Sequence, residues 1–263
     1  LRSWQLASTT EGYPNKLRAL RVANGVLTMQ PYASGWYGDY GAPFLYKNVT
    51  GDFDVRARVK VSGISTELPG SEWSLGGLML RQAPRGGAAE WAPRQENWLF
   101  LTTGIAEPKG TPVFEAKSTN NSASNLKLRP ARAGWVELRI VRVQATFLLL
   151  YRYEGAGWTL LERFYRPLLL PTLQVGFNAY SGWNELPMEA KRDPKAFNTT
   201  LLPDVPTDMQ LQVDAVRFLP PKLDMKKLGA LMQEGFRVPF YTPANVLSDY
   251  SITNAEVLAI IGD

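Results

Sequence analysis

The sequence predicts an all-β protein, either a β-sandwich or a β-barrel. Many short segments alternate between apolar and polar residues, Gly, Pro and Asn residues separate them, and helical periodicity is almost absent before Pro220. The clearest alternation is in Asp52–Val61, where the odd-numbered residues from Phe53 onward are apolar and the even-numbered residues are charged. This pattern is typical of an antiparallel strand with one face in the core and one face in water.

Further segments with strand character follow at short intervals along the chain. They are Leu17–Val22, Val26–Gln30, Leu75–Arg81, Trp98–Thr103, Val113–Lys117, Trp135–Val143, Thr146–Tyr153, Trp158–Phe164, Leu173–Ala179 and Leu211–Leu219. Asn24-Gly25 separates the first two and predicts a two-residue hairpin turn. The long, proline-containing segment Ser181–Gln210 lies between two predicted strands, and we expect it to pack on the protein body or on a partner.

The composition excludes several kinds of catalytic and metal-binding site. The chain has 263 residues, 29 Lys+Arg against 24 Asp+Glu, no Cys and no His. Disulfides, thiolate metal sites, Ser-His-Asp triads and His-ligated metals are therefore excluded within it, and catalysis would have to use carboxylates, Lys, Tyr or an oxygen-ligated cation. A net charge of +5 without a dense basic run does not indicate nucleic-acid binding, and no apolar run approaches the length of a membrane-spanning helix.

The end of the chain changes character. Met225–Glu234 is predicted as a helix capped by Asp224, and Thr253 with Glu256 forms a capping-box pattern that begins a last helix. The stretch Phe236–Asp249 between them is predicted to be extended. We therefore divide the chain into a sandwich domain, residues 1–219, and a C-terminal docking tail, residues 220–263.

The tail is too short and too apolar to stand alone, so it must dock. One interpretation places it on the convex side of its own sandwich, and the other places it on another subunit. The side chains expected to make a partner contact are Leu228, Leu231, Phe236, Phe240, Val257, Ile260 and Ile261.

Several motifs occur in an order that resembles a known family. They are Trp36–Tyr40 (WYGDY), Gly76–Arg81 (GGLMLR), Trp135–Ile140 (WVELRI) and Val175–Ala179 (VGFNA). Together they resemble the concanavalin A-like lectin/glucanase sandwiches, and most closely the bacterial DUF1349-type group, over residues 1–219. The resemblance implies two stacked, curved antiparallel sheets of jelly-roll type, with a C-terminal extension that contains short helices.

The same resemblance implies a place for ligands. Related sandwiches often bind glycans on the concave face, and some glucanase relatives hydrolyse them with a pair of Glu residues on one strand. This chain lacks such a pair, because its strand acids Glu137 and Glu162 stand isolated among basic and apolar neighbours. A glycosidase needs two carboxylates about 5–10 Å apart. We therefore expect no catalytic residues and no enzyme activity.

Aromatic residues are the main candidates for binding, and Trp36, Tyr37, Tyr40, Trp73, Trp91, Trp98, Tyr180 and Trp183 are the most suggestive. The residues selected as a ligand or partner site are Trp36, Asp39, Tyr40, Trp98 and Trp183. Core packing is the alternative for every ring in this group. Asp39, Asp52 and Asp54 could ligate Ca²⁺. However, Arg56 and Arg58 follow on the same strand face, and simple cross-strand pairing explains the charges better. No metal and no cofactor is expected.

Three functions remain in order of preference. The first is a non-catalytic interaction module, an accessory subunit extrinsic to a larger membrane-associated assembly of the cell envelope, with respiratory and photosynthetic complexes as candidates. Its partners would be other protein subunits. The second is a carbohydrate-binding module that uses Trp36, Tyr40, Trp98 and Trp183 on the concave face. The third is a glycoside-active enzyme of the same fold. The first residue, Leu1, is not Met, which leads us to expect processing upstream of it.

Overall fold

The computed structural model describes residues 3–234 and 242–263, and in these residues two seven-stranded antiparallel sheets pack face to face. The front sheet has the strand order β1 (Gln5–Leu6), β4 (Phe44–Thr50), β13 (Thr172–Tyr180), β6 (Ser74–Gln82), β7 (Asn97–Ile105), β8 (Pro112–Asn120) and β9 (Ala123–Pro130). The back sheet has the order β12 (Thr159–Tyr165), β11 (Thr146–Arg152), β10 (Val136–Val143), β5 (Phe53–Gly63), β14 (Met209–Leu219), β3 (Val26–Pro31) and β2 (Leu17–Ala23).

Helices are short and lie outside the two sheets. The α-helices are α1 (Ala7–Glu11), α2 (Pro194–Thr199), α3 (Met225–Glu234), α4 (Pro243–Ser248) and α5 (Asn254–Ile261), and 3₁₀ turns occupy Ala88–Glu90 and Met188–Lys191. Among the described residues, no helix has both the length and the hydropathy that a bilayer crossing requires.

The main core lies between the two sheets. The apolar face of β5, from Phe53 to Val61, is almost fully buried there and packs with residues such as Leu78 and Leu101 of the front sheet. Each such side chain contributes about 1.5–3 kcal/mol on burial. The predicted two-layer architecture is therefore confirmed, and so is the Asn24-Gly25 hairpin, whose two residues have φ of +51° and +78°.

The alternation rule missed three strands. In β4 the run Phe44-Leu45-Tyr46 is buried on both faces, so its apolar residues do not alternate with polar ones. In β9, at the edge of the front sheet, both faces are largely accessible. The two-residue strand β1 is too short to show any period.

The C-terminal tail packs on the chain's own back sheet. The buried residues of this contact, called here the tail interface, are Val141, Val143, Leu148, Leu150, Trp158 and Leu160 from the sheet, and Leu228, Val246, Leu247, Val257, Ile260 and Ile261 from the tail. The outer face of β10 and β11 is apolar, and the tail removes it from water.

This packing corrects the expectation of exposed docking side chains. Leu228, Val257, Ile260 and Ile261 are at most 1% exposed within the single chain, so they are not available to a partner. Leu231 is partly buried on the same contact, while Phe236 and Phe240 lie outside the described residues.

Two arginines of the back sheet bind the tail backbone. Arg163 donates to the carbonyls of Asp249 at 2.7 Å and Ile252 at 2.9 Å. Arg139 donates to Gly262 O at 2.6 Å and Ile261 O at 3.1 Å, at the carboxyl end of α5. The last carbonyls of a helix have no partner within the helix, so these guanidinium groups satisfy acceptors that burial would otherwise leave unpaired.

The helix predictions for the tail are largely confirmed. The α3 bounds match, and Thr253 with Glu256 forms the capping box of α5. The expectation of an extended chain through Phe236–Asp249 is wrong at α4, which begins after Thr242, whose hydroxyl accepts from the amide of Asn245.

We predict that Leu228→Ala lowers the free energy of unfolding by about 2–5 kcal/mol, because it leaves a cavity in the tail interface. Urea unfolding followed by circular dichroism measures the change. Met225→Ala, in the same helix but 62% exposed in the wild type, is the matched control and should shift stability by less than about 0.5 kcal/mol. Equal effects of the two substitutions would contradict this placement of the tail.

Candidate functional site

The outer face of the front sheet carries a second apolar layer. Its buried residues are Ala7, Trp36, Phe44, Tyr46, Leu75, Met79, Trp98, Phe100, Ala106, Val113 and Tyr180. The loop before β4 lies over this layer and brings Trp36 edge-on to Trp98, with ring centroids 5.7 Å apart. The loop covers only part of the face, and a pocket remains beside it.

This aromatic pocket has a volume of about 290 Å³. It is lined by Gly35, Trp36, Tyr37, Trp73, Lys117, Leu126, Tyr180, Trp183 and Asn184. The volume is near the lower end of the range for small-ligand sites, about 300–1,000 Å³. Tyr37 and Leu126 are exposed, Trp73 and Trp183 are half-buried, and Trp36 and Tyr180 are buried.

Local chain geometry sets the walls of the pocket. Trp183 follows Gly182, whose φ of +68° turns the chain after β13. Its ring passes directly over Gly35, where a Cβ atom would lie 2.5 Å from Trp183 Cε3. The wall therefore needs glycine at position 35, because any side chain there would displace the indole.

Polar groups at the pocket are joined through one buried carboxylate. Glu115 and Lys117 lie on the outer face of β8, and Lys117 Nζ is 2.7 Å from Glu115 Oε1. The hydroxyl of Tyr180 donates to Glu115 Oε2. Burial, and then the charge of Glu115, raise the pKa of Tyr180 well above its usual range, so this hydroxyl keeps its proton.

Lys117 also fixes the loop above it. Its ammonium donates to Trp36 O at 2.9 Å. An ammonium has three N–H groups, and in the described part of the chain Lys117 meets only two acceptor oxygens, those of Glu115 and Trp36. At least one of its N–H groups therefore has no oxygen acceptor among the described residues.

The predicted site residues separate into two groups. Trp36 and Trp183 line the aromatic pocket. Trp98 does not, because it is completely buried under Trp36 and stacks on Phe100 at 5.2 Å. Its selection as a binding residue is wrong, and the alternative of core packing applies.

Asp39 and Tyr40 are also absent from the pocket lining. Tyr40 packs edge-on to Trp183 at 5.2 Å and donates its hydroxyl to Lys191 O at 2.6 Å. Asp39 accepts from the amide of Arg94 at 3.0 Å and from the hydroxyl of Ser122. Both residues therefore hold loops together around the site.

The sequence analysis missed the polar part of the pocket. Glu115 and Lys117 are two residues apart in a predicted strand, which places them on one face. That signal was present, but charged residues on one face of a strand usually mean a face in water. Only the covering loop reveals that this face is buried.

The acids singled out in the sequence lie elsewhere. Glu137 pairs with Arg152 at 2.9 Å, Glu162 pairs with Lys127 at 2.6 Å, and neither lines the aromatic pocket. Asp54 is bound by Arg139 and Arg56, which agrees with charge pairing rather than Ca²⁺ ligation. The described residues contain no group of three or more side chains arranged to hold a metal ion.

Comparison with known proteins supports the fold alone. No family model matches the chain, and no curated protein matches its sequence. A protein of unknown function from Saccharomyces cerevisiae matches with a TM-score of 0.58 and 13% identity, over 84% of this chain and 97% of that one. The GH43 protein BlXynB of Bacillus licheniformis matches with a TM-score of 0.51 and 12% identity, over 75% of this chain. A legume lectin-like domain from Entamoeba histolytica has a TM-score of 0.49 and 8% identity, over 83% and 90% of the two chains.

The chain has the concanavalin A-like sandwich fold. Its aromatic pocket lies on the outer face of the front sheet, the sheet formed by β4, β13 and β6–β9. This chain spans 33% of the GH43 protein's length, so that likeness concerns one part of a larger protein.

A smaller cavity of about 50 Å³ lies on the other side of Trp36 and is lined in part by Lys16. The amine of Lys16 donates to Phe197 O at 2.8 Å and lies 3.7 Å from the centre of the Phe197 ring. Burial lowers the pKa of Lys16 to about 7. Near neutral pH this amine therefore divides between its charged and neutral forms.

We predict that Lys117→Met destabilises the fold by about 3–5 kcal/mol, because it leaves the Glu115 carboxylate buried without a counter-charge. Chemical unfolding measures the loss. The double variant Glu115→Gln with Lys117→Met removes both charges and should recover more than half of it. A double variant as unstable as the single one would contradict the ion pair as the cause.

We predict a pH dependence of stability caused by Lys16. Its pKa is about 7 in the folded chain and near 10.5 in the unfolded chain, so between these values the unfolded chain binds more protons. Stability should therefore rise from pH 7 to pH 9.5, by at most about 1.4 kcal/mol per pH unit from this group. Urea unfolding across that range measures the slope. Lys16→Met should flatten it, whereas Lys195→Met, which removes an exposed ammonium, should leave it parallel to wild type.

Proposed function

We propose that this chain is a non-catalytic carbohydrate-binding protein and that the aromatic pocket is its binding site. The observation that carries the proposal is an open pocket walled by Trp36, Tyr37, Trp73 and Trp183, with the ammonium-bearing Lys117 in its lining. This combination matches the two-sided chemistry of a sugar ring.

A pyranose has an apolar face of C–H groups and a rim of hydroxyls. Flat aromatic rings bury the apolar face without requiring a hydrogen bond from it. The hydroxyls then need polar partners at the edge of the ring. Lys117 and the exposed Asn184 are the polar side chains of the lining that could meet them.

The positions of two carboxylates support binding without cleavage. Glu115, the acid beneath the pocket, is completely buried and held by Lys117 and Tyr180. At the rim, Glu72 accepts from the Asn184 amide at 2.8 Å and from the Lys109 amide at 3.2 Å. Hydrolysis of a glycoside needs one acid to give a proton and another to act on the sugar carbon or on water, and both acids here have other partners.

The docking hypothesis takes second place. Its main anchors in the tail are buried within the chain, so a protein partner would have to use other surfaces. An accessory role in an envelope complex, an envelope location and membership of the DUF1349-type group remain proposals. Co-purification of the native protein with defined subunits is the observation that would favour the accessory role.

We predict that Tyr37→Ala weakens binding to the best glycan about tenfold, because an exposed stacking ring is lost. Affinity electrophoresis against a polysaccharide set identifies the ligand, and calorimetric titration with its oligosaccharide gives Kd. Tyr165→Ala is the matched control, since Tyr165 is 48% exposed against 54% for Tyr37 but lies on the back sheet. Failure of every glycan to retard the protein, or equal effects of the two substitutions, would overturn the proposal.

A further inference from the structure

A second pocket lies next to the aromatic pocket and has a different character. This polar pocket has a volume of about 270 Å³, and the polar side chains in its lining are Gln82, Arg85, Arg94, Gln95, Asn97 and Asn121. It lies where β6 ends and β7 begins, and where the β8–β9 hairpin turns. Among the described residues, no carboxylate lines it.

The two arginines of the polar pocket are uncommitted. Arg85 and Arg94 are exposed, and within residues 3–234 and 242–263 their guanidinium groups make no hydrogen bond or ion pair. Two nearby acids are already engaged. Asp39 binds the backbone amide of Arg94 and the hydroxyl of Ser122, and Glu96 binds Arg81 at 2.6 Å. A third acid, Glu90, lies beside Gly86 and outside the pocket lining. The residues that line the pocket therefore present two positive charges and no carboxylate.

The two pockets lie on either side of one loop. Tyr37 lines the aromatic pocket, while Asp39, two residues later, contacts Arg94 of the polar pocket. The amide of Gly38 between them donates to Ser124 at 2.9 Å. Lys117 of one pocket and Asn121 of the other are four residues apart along β8 and its turn, about 13 Å at the rise of a strand. An oligosaccharide of a few units can span that distance.

We propose that the ligand is an acidic oligosaccharide, held by one ring in the aromatic pocket and by its anionic groups on Arg85 and Arg94. The proposal rests on the carbohydrate-binding function above and names the ligand class. A guanidinium presents paired N–H donors in a planar fork that matches a carboxylate or a sulfate ester. The amides of Gln82, Gln95 and Asn97 line the same pocket, so the two guanidinium groups share it with neutral polar groups and with no acid of the lining.

The test uses matched trisaccharides of galacto, gluco and manno configuration. Each is titrated as the uronic acid, as its carboxyl-reduced neutral form, and as a sulfated derivative of the neutral form. The full chain should bind at least one acidic form at least tenfold more tightly than its neutral counterpart in 50 mM NaCl. This preference should fall in 500 mM NaCl, since ions screen exposed charges. The uronate and sulfate arms distinguish the two sources of negative charge.

Variants distinguish the proposed preference for acidic oligosaccharides from carbohydrate binding itself. The double variant Arg85→Gln with Arg94→Gln should lose the preference for acid, with about tenfold weaker binding of the acidic form and unchanged binding of the neutral form. Arg21→Gln, an exposed arginine on the distant strand β2, is the control and should change neither. Equal affinity for acidic and neutral forms in the wild type would overturn the ligand class but leave carbohydrate binding in place. If no trisaccharide binds, both proposals fail.

Discussion

Each sheet of this sandwich carries an apolar patch on part of its outer face in addition to the core between the sheets, and other segments of the chain cover both patches. On the back sheet the tail helices cover the residues of β10 to β12 almost completely. On the front sheet the loop that carries Trp36 and the segment that carries Trp183 provide the cover. The cover on the back sheet buries its apolar patch, whereas the cover on the front sheet leaves the aromatic pocket open beside it.

Charged residues are buried under both covers, and each has specific charged or backbone partners. Arg139 and Arg163 donate hydrogen bonds to tail carbonyls. These bonds are directional, so they fix the orientation of the tail on the sheet in addition to its hydrophobic contacts. Under the front cover, Glu115 and Lys117 neutralise one another, and Lys117 also holds the backbone of Trp36. Isolated charges in these positions would cost several kcal/mol each, so register between sheet and cover is strongly specified.

The features that could be predicted from the sequence are those set by a local residue pattern. The alternation in β5, the Asn24-Gly25 turn and the capping box at Thr253 each depend on neighbouring residues only, and each was found. The burial of a side chain could not be predicted where it depends on a distant segment that covers one face of a sheet. Trp98 and Trp36 look equivalent in the sequence, yet one lies beneath the other. The Glu115–Lys117 pair has the pattern of a wet strand face, and only its loop cover makes it part of a site.

The interlocked rings around the pocket have a thermodynamic consequence for whatever enters it. Trp36 is wedged against Trp98 and Phe44, and Trp183 against Tyr40 and Phe197, so these indoles have already lost their rotamer freedom on folding. The side chains of Trp36 and Trp183 therefore lose little further conformational entropy when a ligand binds, and the entropic penalty of association is reduced. A pocket with such walls selects its ligands by the fit of their shape to fixed rings, and not by closing around them.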